Sequence, residues 1–498
     1  MKISNVDENP PPQYCTVLSC ATLLFVFLWA SNPVVEAQAQ IDDYEEWLKE
    51  HKETYETYLD EQDEAFLNFL EEQWVEKEMT PTRSGEVEEK PSIIPFVEGT
   101  PAEGTPAEGT PAEGTPKEGD NSEAKIETST LTFLGSSSEV SYDASHQVHL
   151  EVPFDESSFP TFWEDMASTA YEQTVKSIQS ARARLNLSDW GYYRYVQRAA
   201  AMRYDDTPSS LSHSAKLWTW FIMIQSGYDV RLGYRSTDIV LLVPAEEQVM
   251  GHAFLEIDGQ HYYAIGDNSE APLYTYQGNH TDAQQVIHFD ERGSIPAVES
   301  NPGTRTVSFE YGGEAYNIEI VYESEMVQYL QSYPTVRIGP TFHRRLSGTA
   351  EEALHDALVP HLDSLDARDT LNFLLRFVQH ATDYETDSEQ FGETRYMFAE
   401  ESLAASASDC DDRAALFARV VHSLLGYNVV GLLWKGTPGH VATAVQVNTN
   451  LTTYDHDRIY SINDTDYVLA DPTYINGTLG MEMPFIENRA PELITTLK

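Results

Sequence analysis

Ser408-Asp409-Cys410-Asp411-Asp412-Arg413 runs directly into Ala414–Leu425, an apolar-periodic stretch closed by Gly426. Asp409 is placed to cap a helix, which puts Cys410 in the first turn, where unpaired backbone N–H groups favour a thiolate. Cys410, Ala414, Phe417, Val421 and Leu424 recur at three- and four-residue steps, so the sulfur heads the buried face of that helix. A cysteine so placed is either a small core hydrophobe or a nucleophile. The segments downstream decide between the two.

Two of them carry chemistry. Pro438-Gly439-His440-Val441 opens an apolar strand over 440–447, and Tyr467-Val468-Leu469-Ala470-Asp471-Pro472 is a strand ending in an acid. A thiol attacking an amide needs an imidazole to take its proton and return it to the departing amine. That imidazole in turn needs a carboxylate on its second nitrogen. Two adjacent strands passing a helix N-terminus supply this geometry, with Gly439 expected to allow close backbone approach. Asp409, Asp411 and Asp412 oppose the thiolate, while the helix N-terminus and a protonated His440 favour it. With Arg413 expected to pair with Asp411 or Asp412, the reading predicts a Cys410 thiol titrating well below its ordinary value.

The runs SASDCDDRAALFARVVHSLLGYNVVGLLW, TPGHVATAV and YVLADPTYINGTLG together resemble the bacterial branch of the transglutaminase-like superfamily. The resemblance is firm over 368–482 and weaker over 185–270. It implies an α+β, papain-like fold, with Cys410 as nucleophile, His440 as acid/base and Asp471 as orienting acid. Members of this branch are similar to cysteine proteases at least as often as to cross-linking enzymes. An upstream amide often serves the oxyanion in such folds, which makes Gln379 the candidate donor.

The 185–270 region reads as an earlier copy of the same pattern. Val196-Gln197-Arg198-Ala199 is similar to Val378-Gln379-His380-Ala381, and Gly227-Tyr228-Asp229-Val230 to Gly426-Tyr427-Asn428-Val429. Gly251-His252 is matched with Gly439-His440, and Tyr263–Asp267 with Tyr467–Asp471. Leu211 then stands at the position of Cys410, so the first copy lacks a nucleophile. Segments 130–134 and 147–152 read as strands, 159–185 as helix, and 306–311 with 315–322 as a hairpin turning at Gly312-Gly313.

With 81 acidic against 31 basic residues among 498, a net charge of -50, the chain repels nucleic acid and acidic membrane surfaces. Thr16–Ala30 is a 15-residue apolar run followed by Ala37-Gln38-Ala39, the pattern of a cleaved export signal. It is shorter than the roughly 20 residues of a membrane span. The weak basic n-region, with Lys2 alone, keeps an uncleaved, signal-anchored form open, and no stable membrane insertion is expected otherwise. Export to the periplasm or the exterior leaves Cys410 as the only cysteine of the mature chain, since Cys15 and Cys20 lie within the signal. An unpaired thiol in an oxidising compartment is buried or used.

The resulting organisation is a signal peptide (1–39), an acidic amphipathic helix (40–80), a disordered EGTPA-repeat linker (81–125), a degenerate transglutaminase-like domain with a β-rich extension (126–345) and a transglutaminase-like catalytic domain (346–498). Tyr44, Trp47, Tyr55, Tyr58, Phe66, Phe69 and Trp74 form one stripe, which suits either packing or a protein partner for residues 42–79. Asp455-His456-Asp457 and Asn463-Asp464-Thr465-Asp466 lack the glycine and distal glutamate of a calcium loop, so calcium has no motif behind it and no cofactor is required. His252 and His261 have no zinc spacing, and no phosphate-cradling glycine loop occurs. The expected function is thiol acyl chemistry on peptide or glutamine amides, hydrolysis before transfer. The alternative is a non-catalytic surface binding or assembly protein in which the site is a relic.

Overall fold

A computed structural model describes residues 60–71, 74–82, 125–235, 238–267, 269–278, 283–290, 296, 298, 301–436 and 439–497. The export segment, the aromatic stripe before residue 60 and the EGTPA repeats lie outside the described residues. Residues 63–498 form one compact unit. It is built of mixed helices and sheets, the α+β class expected. Among the described residues, no helix is long and apolar enough to cross a membrane.

Two sheets organise the unit, and each follows a buried helix. The first helix, His213–Gln225, is capped by Ser212 and is apolar almost all round, so it lies fully inside. Five strands follow it: Arg231–Arg235, Asp238–Ala245, Ala253–Ile257, Gln260–Tyr263 and Leu273–Tyr276. The second helix, Cys410–Leu425, precedes Val429–Trp434, His440–Gln446, Ile459–Ile462, Thr465–Ala470 and Glu492–Leu497. In both sheets the strands lie side by side in the order fifth, first, second, fourth, third, and every one of these pairs is antiparallel. Each half also starts with a β-hairpin, Ile126–Phe133 with Ser136–Asp143 and Pro302–Tyr311 with Glu314–Glu323. Helices follow each hairpin, among them Tyr171–Leu185 and Asp189–Arg203 in one half and Gly348–Leu362 and Ala367–Gln379 in the other.

This shared connectivity corrects the alignment drawn from sequence. The strand equivalent to His440–Gln446 is Asp238–Ala245, so His440 corresponds to Asp238, which pairs with Arg235 as His440 pairs with Trp434. His252 precedes the third strand and is no counterpart of His440. Val243 pairs with Tyr263 and Val445 with Val468, so the fourth-strand match slips by one and Gly266, not Asp267, falls opposite Asp471. A Gly-His dipeptide before any strand looks alike in sequence; only the ladder identifies which strand it opens.

Three boundaries also move. The helix expected through residue 79 ends near residue 70, because Trp74–Lys77 pairs with Leu273–Tyr276 and Thr80–Pro81 with Ala253–Phe254. Phe66, Leu70 and Trp74 are therefore spent in the first-half core and are not offered to a partner. Hairpin 302–323, assigned by sequence to the first domain, buries Val307, Phe309, Ile318 and Ile320 in the core of the second half. Residues 147–152 are irregular because side chains take their backbone groups, Ser214 Oγ accepting from the Leu150 amide and Tyr204 donating to the Val148 carbonyl. The helix expected over 159–185 is interrupted between Ala167 and Tyr171.

Trp74 is 4% exposed, packs against Phe159, Tyr234 and Tyr276, and donates its indole N–H to the Leu70 carbonyl at 3.0 Å. Trp74→Ala is expected to cost about 3–5 kcal/mol in urea unfolding. A loss below about 1 kcal/mol would show that residues 63–82 are dispensable to this core.

Candidate active site

The helix bearing the thiol starts at Cys410 itself. Asp409 is its N-cap, its carboxylate accepts from the Asp411 amide at 3.3 Å, and Asp412 reciprocates by accepting from the Asp409 amide at 3.3 Å. Gly426 closes the helix in the left-handed region at φ 67°. Upstream, Ala407–Ser408 runs parallel to Asp383–Tyr384, which brings the 383–396 segment against the sulfur. The Cys410 amide, at the first helical position, has no acceptor of its own in the helix.

His440 and Asp471 meet as expected. His440 Nε2 lies 2.8 Å from Asp471 Oδ2, and the two residues are 4% and 2% exposed. Asp471 Oδ1 accepts from the Thr473 amide at 2.9 Å and the Tyr474 amide at 3.3 Å, so the carboxylate is held at both oxygens. The imidazole sits between Trp434 and Phe485, with ring centroids at 5.9 and 5.3 Å. Proton donation from Nε2 to Asp471 leaves Nδ1 as the basic nitrogen.

Cys410 reaches this pair through the backbone of the same strand. The Val441 amide, one residue past His440, favours its thiolate, while the charge of Asp471 opposes it. The hydrogen-bond partner of the sulfur is Asp411 Oδ1 at 3.9 Å, not the His440 ring. Burial, then Asp411 and Asp409, hold the thiol well above its ordinary range, and the Val441 amide offsets only part of this. The expectation of a lowered thiol is thus corrected: the helix N-terminus does not outweigh desolvation plus two flanking carboxylates. Nor does Arg413 relieve them, since its guanidinium donates to the Thr382 carbonyl at 2.8 Å and to Ser408 Oγ at 3.3 Å.

Gln379 is placed elsewhere than expected. It is 1% exposed, its amide N–H groups go to the carbonyls of Tyr474 at 2.8 Å and Gly477 at 3.0 Å, and its oxygen accepts from the Asn476 amide at 3.3 Å. With both donors used, it braces the loop behind Asp471 and has none left for an oxyanion. The amide of Cys410 is the group better placed for that. Gly439 is likewise not needed for close approach, because a Cβ there would meet nothing nearer than 3.4 Å.

Asp387 joins the site without any local signal around it. Asp387, Asp409 and Asp412 bring carboxylate oxygens within 4.8 Å of one another, as do Asp409 and Asp411 with the Cys410 sulfur. Burial and Asp409 raise Asp387 to about 7, and burial with neighbouring carboxylates holds Asp411 and Asp412 well above the usual range. Asp411 is 7% exposed and its Oδ2 has no hydrogen-bond partner. Such hard oxygens are the donors that hold Ca²⁺ or Mg²⁺. The acidic turns singled out by sequence do not share this character. Asp457 is in a bidentate pair with Arg368 at 2.8 and 2.9 Å, and Asn463-Asp464 is a tight hairpin turn with both residues at positive φ. Tyr384, also beside the sulfur, is pushed up to about 12, by burial first and then by Cys410 and the aspartates.

Two outcomes follow from the charge at this helix start. Asp411→Asn removes an acid that raises the thiol, so iodoacetamide should label Cys410 at a lower pH than in the parent chain; an unchanged midpoint would contradict the electrostatics. For Asp387, whose folded value near 7 exceeds its ordinary 3.8, the stabilising contribution is complete below 3.8 and lost as pH rises through about 7. The melting temperature should therefore fall between pH 5 and 8, and Asp387→Asn should flatten that fall. No family model matches this chain, and comparison with curated proteins and with solved structures likewise returns no match.

Proposed function

We propose that the protein is an exported thiol enzyme of transglutaminase-like type acting on peptide or glutamine amides. The observation that carries the reading is His440 Nε2 on Asp471 Oδ2 at 2.8 Å, on the strand whose next amide, Val441, favours the Cys410 thiolate. In the reaction, His440 Nδ1 takes the thiol proton as sulfur attacks the carbonyl carbon. The tetrahedral oxyanion is met by the Cys410 amide, and His440 returns the proton to the departing amine. Water then adds to the thioester carbonyl as His440 takes its proton; the C–S bond breaks, His440 returns the proton to the Cys410 sulfur, and the carboxylic acid leaves. Hydrolysis is preferred to transfer, since no feature marks a site for a second amine. A thiol held protonated at rest suits this order, because the proton moves only when substrate is present; hydrogen bonds of this kind tighten in the substrate complex.

The first half supports the reading by contrast. Its shared connectivity fits an internal duplication in which the first copy lost the chemistry, with His213, not the Leu211 expected from sequence, at the helix start where Cys410 stands, and Asp238 where His440 stands. The raised thiol, bonded to Asp411 and not to the imidazole, is the observation favouring the alternative, a surface binding or assembly protein with a relic site.

The test offers a casein-like protein with and without a primary amine. Cleavage is expected, with amine incorporation minor, and Cys410→Ala, His440→Ala and Asp471→Asn should each lower the rate at least about a hundredfold. A thiol probe should label the parent chain and lose at least most of its rate in His440→Ala. Labelling indifferent to His440→Ala, with no turnover of either kind, would establish the binding reading instead.

A further inference from the structure

A cavity of about 220 Å³ lies in the first half, away from the cysteine, between the first hairpin, helix Asp189–Arg203 and helix Ser324–Gln331. Arg194 and Arg198 line it from one turn of the same helix, with Gln328 and Tyr329 facing them from the other. Spaced four residues apart, the two guanidinium groups share a helix face.

What sets this pair apart is the lack of both a countercharge and a backbone acceptor. Other arginines of this acidic chain meet carboxylates, as Arg182 does Asp189 at 2.7 Å and Arg368 does Asp457 at 2.8 Å, or donate to backbone carbonyls, as Arg203 does to Asp143 and Arg419 to Phe342, both at 2.7 Å. Arg194 and Arg198 form no ion pair with any described residue. Arg194 is half-buried and Arg198 exposed; the Arg194 guanidinium rests 5.8 Å from the Trp190 ring, and its one hydrogen bond, from Nη1 to Gln197 Oε1 at 2.8 Å, leaves Nη2 and Nε without a protein acceptor. Burial lowers its proton affinity with only tyrosines opposing, which agrees with a cation lacking an acid beside it. Glu325 is the one acidic residue on the cavity wall and pairs with neither arginine. A partly desolvated guanidinium is costly unless a planar oxyanion satisfies its fork.

The geometry points to a binding site for a small carboxylate ligand, held by Arg194 and Arg198 and independent of the thiol chemistry. The volume admits a short dicarboxylate or the acidic end of a peptide, not a folded partner, and the amide of Gln328 offers a further donor.

Succinate, titrated against the full chain at constant ionic strength by calorimetry with melting temperature as second readout, tests this. Saturable binding is expected, tighter than for inorganic phosphate. The double variant Arg194→Gln, Arg198→Gln should weaken it at least about tenfold. Glu325→Gln removes a like charge from the wall and should tighten binding about threefold, which keeps the test sound should the double variant not fold. No saturable heat, equal binding of phosphate, an undiminished affinity in the double variant, or weaker binding in Glu325→Gln overturns the assignment.

Discussion

The register between strands His440–Gln446 and Thr465–Ala470 is the constraint on which the second half depends. Thr443 pairs with Ala470, and Thr443 Oγ1 donates to the Ala470 carbonyl at 2.6 Å from a fully buried position. Asp471 then leaves the ladder immediately beyond, within reach of His440. A slip of one residue would reverse every side chain of the strand and carry Asp471 to the opposite face. Gln379 secures the other side of the same acid. Its amide fastens Tyr474, Asn476 and Gly477, so the loop cannot lift away from the strand end. The carboxylate is thus fixed from in front by sheet register and from behind by a buried amide on another helix.

The helix start at Cys410 is built on an opposite balance. One anion at a helix N-terminus is stabilised by the free amides, and Asp409 takes that role. Asp411, Asp412 and Asp387 gather around it in a space that excludes water, where several ionised carboxylates repel strongly. The outcome is a proton affinity raised on Asp387, Asp411, Asp412 and the thiol alike. Charge at this point is a property of the group of four carboxylates and not of any one of them. That dependence makes the nucleophile responsive to whatever neutralises its neighbours.

Much of this was legible in the sequence wherever the signal was local. Asp409 as cap, the helix closed by Gly426, the Gly312-Gly313 hairpin, and the strands opening at His440 and ending before Asp471 all follow from propensity, spacing and turn chemistry. The readings that needed correction all depended on partners distant in the chain. Trp74 looks helical beside Phe66 and Leu70 until a strand two hundred residues later accepts it. Gln379 has the composition of a donor, and only the loop at 474–477 shows that its donors are used. The thiol was weighed with charges adjacent in sequence but without burial, and burial is the largest contribution. Asp387 opens a short helix with a capping box of its own, and nothing local indicates that it folds onto the cysteine.

The two halves bear on what the chemistry costs. With the same strand order, the first half places His213 at the first residue of its helix and Asp238 at the start of its second strand, the positions that Cys410 and His440 hold in the other. There, Asp238 is joined by Lys216 at 3.0 Å and by His213 at 3.6 Å. Opposite charges meet at a partly exposed surface and the helix start is relieved of repulsion. In the second half the equivalent space holds a half-buried thiol, a buried imidazole–carboxylate pair and clustered acids, an arrangement that stability alone would not select. The same strand order can close this geometry with an ion cluster, and the second half holds the costlier version. This is the physical reason to look for activity at Cys410 even though its thiol rests protonated.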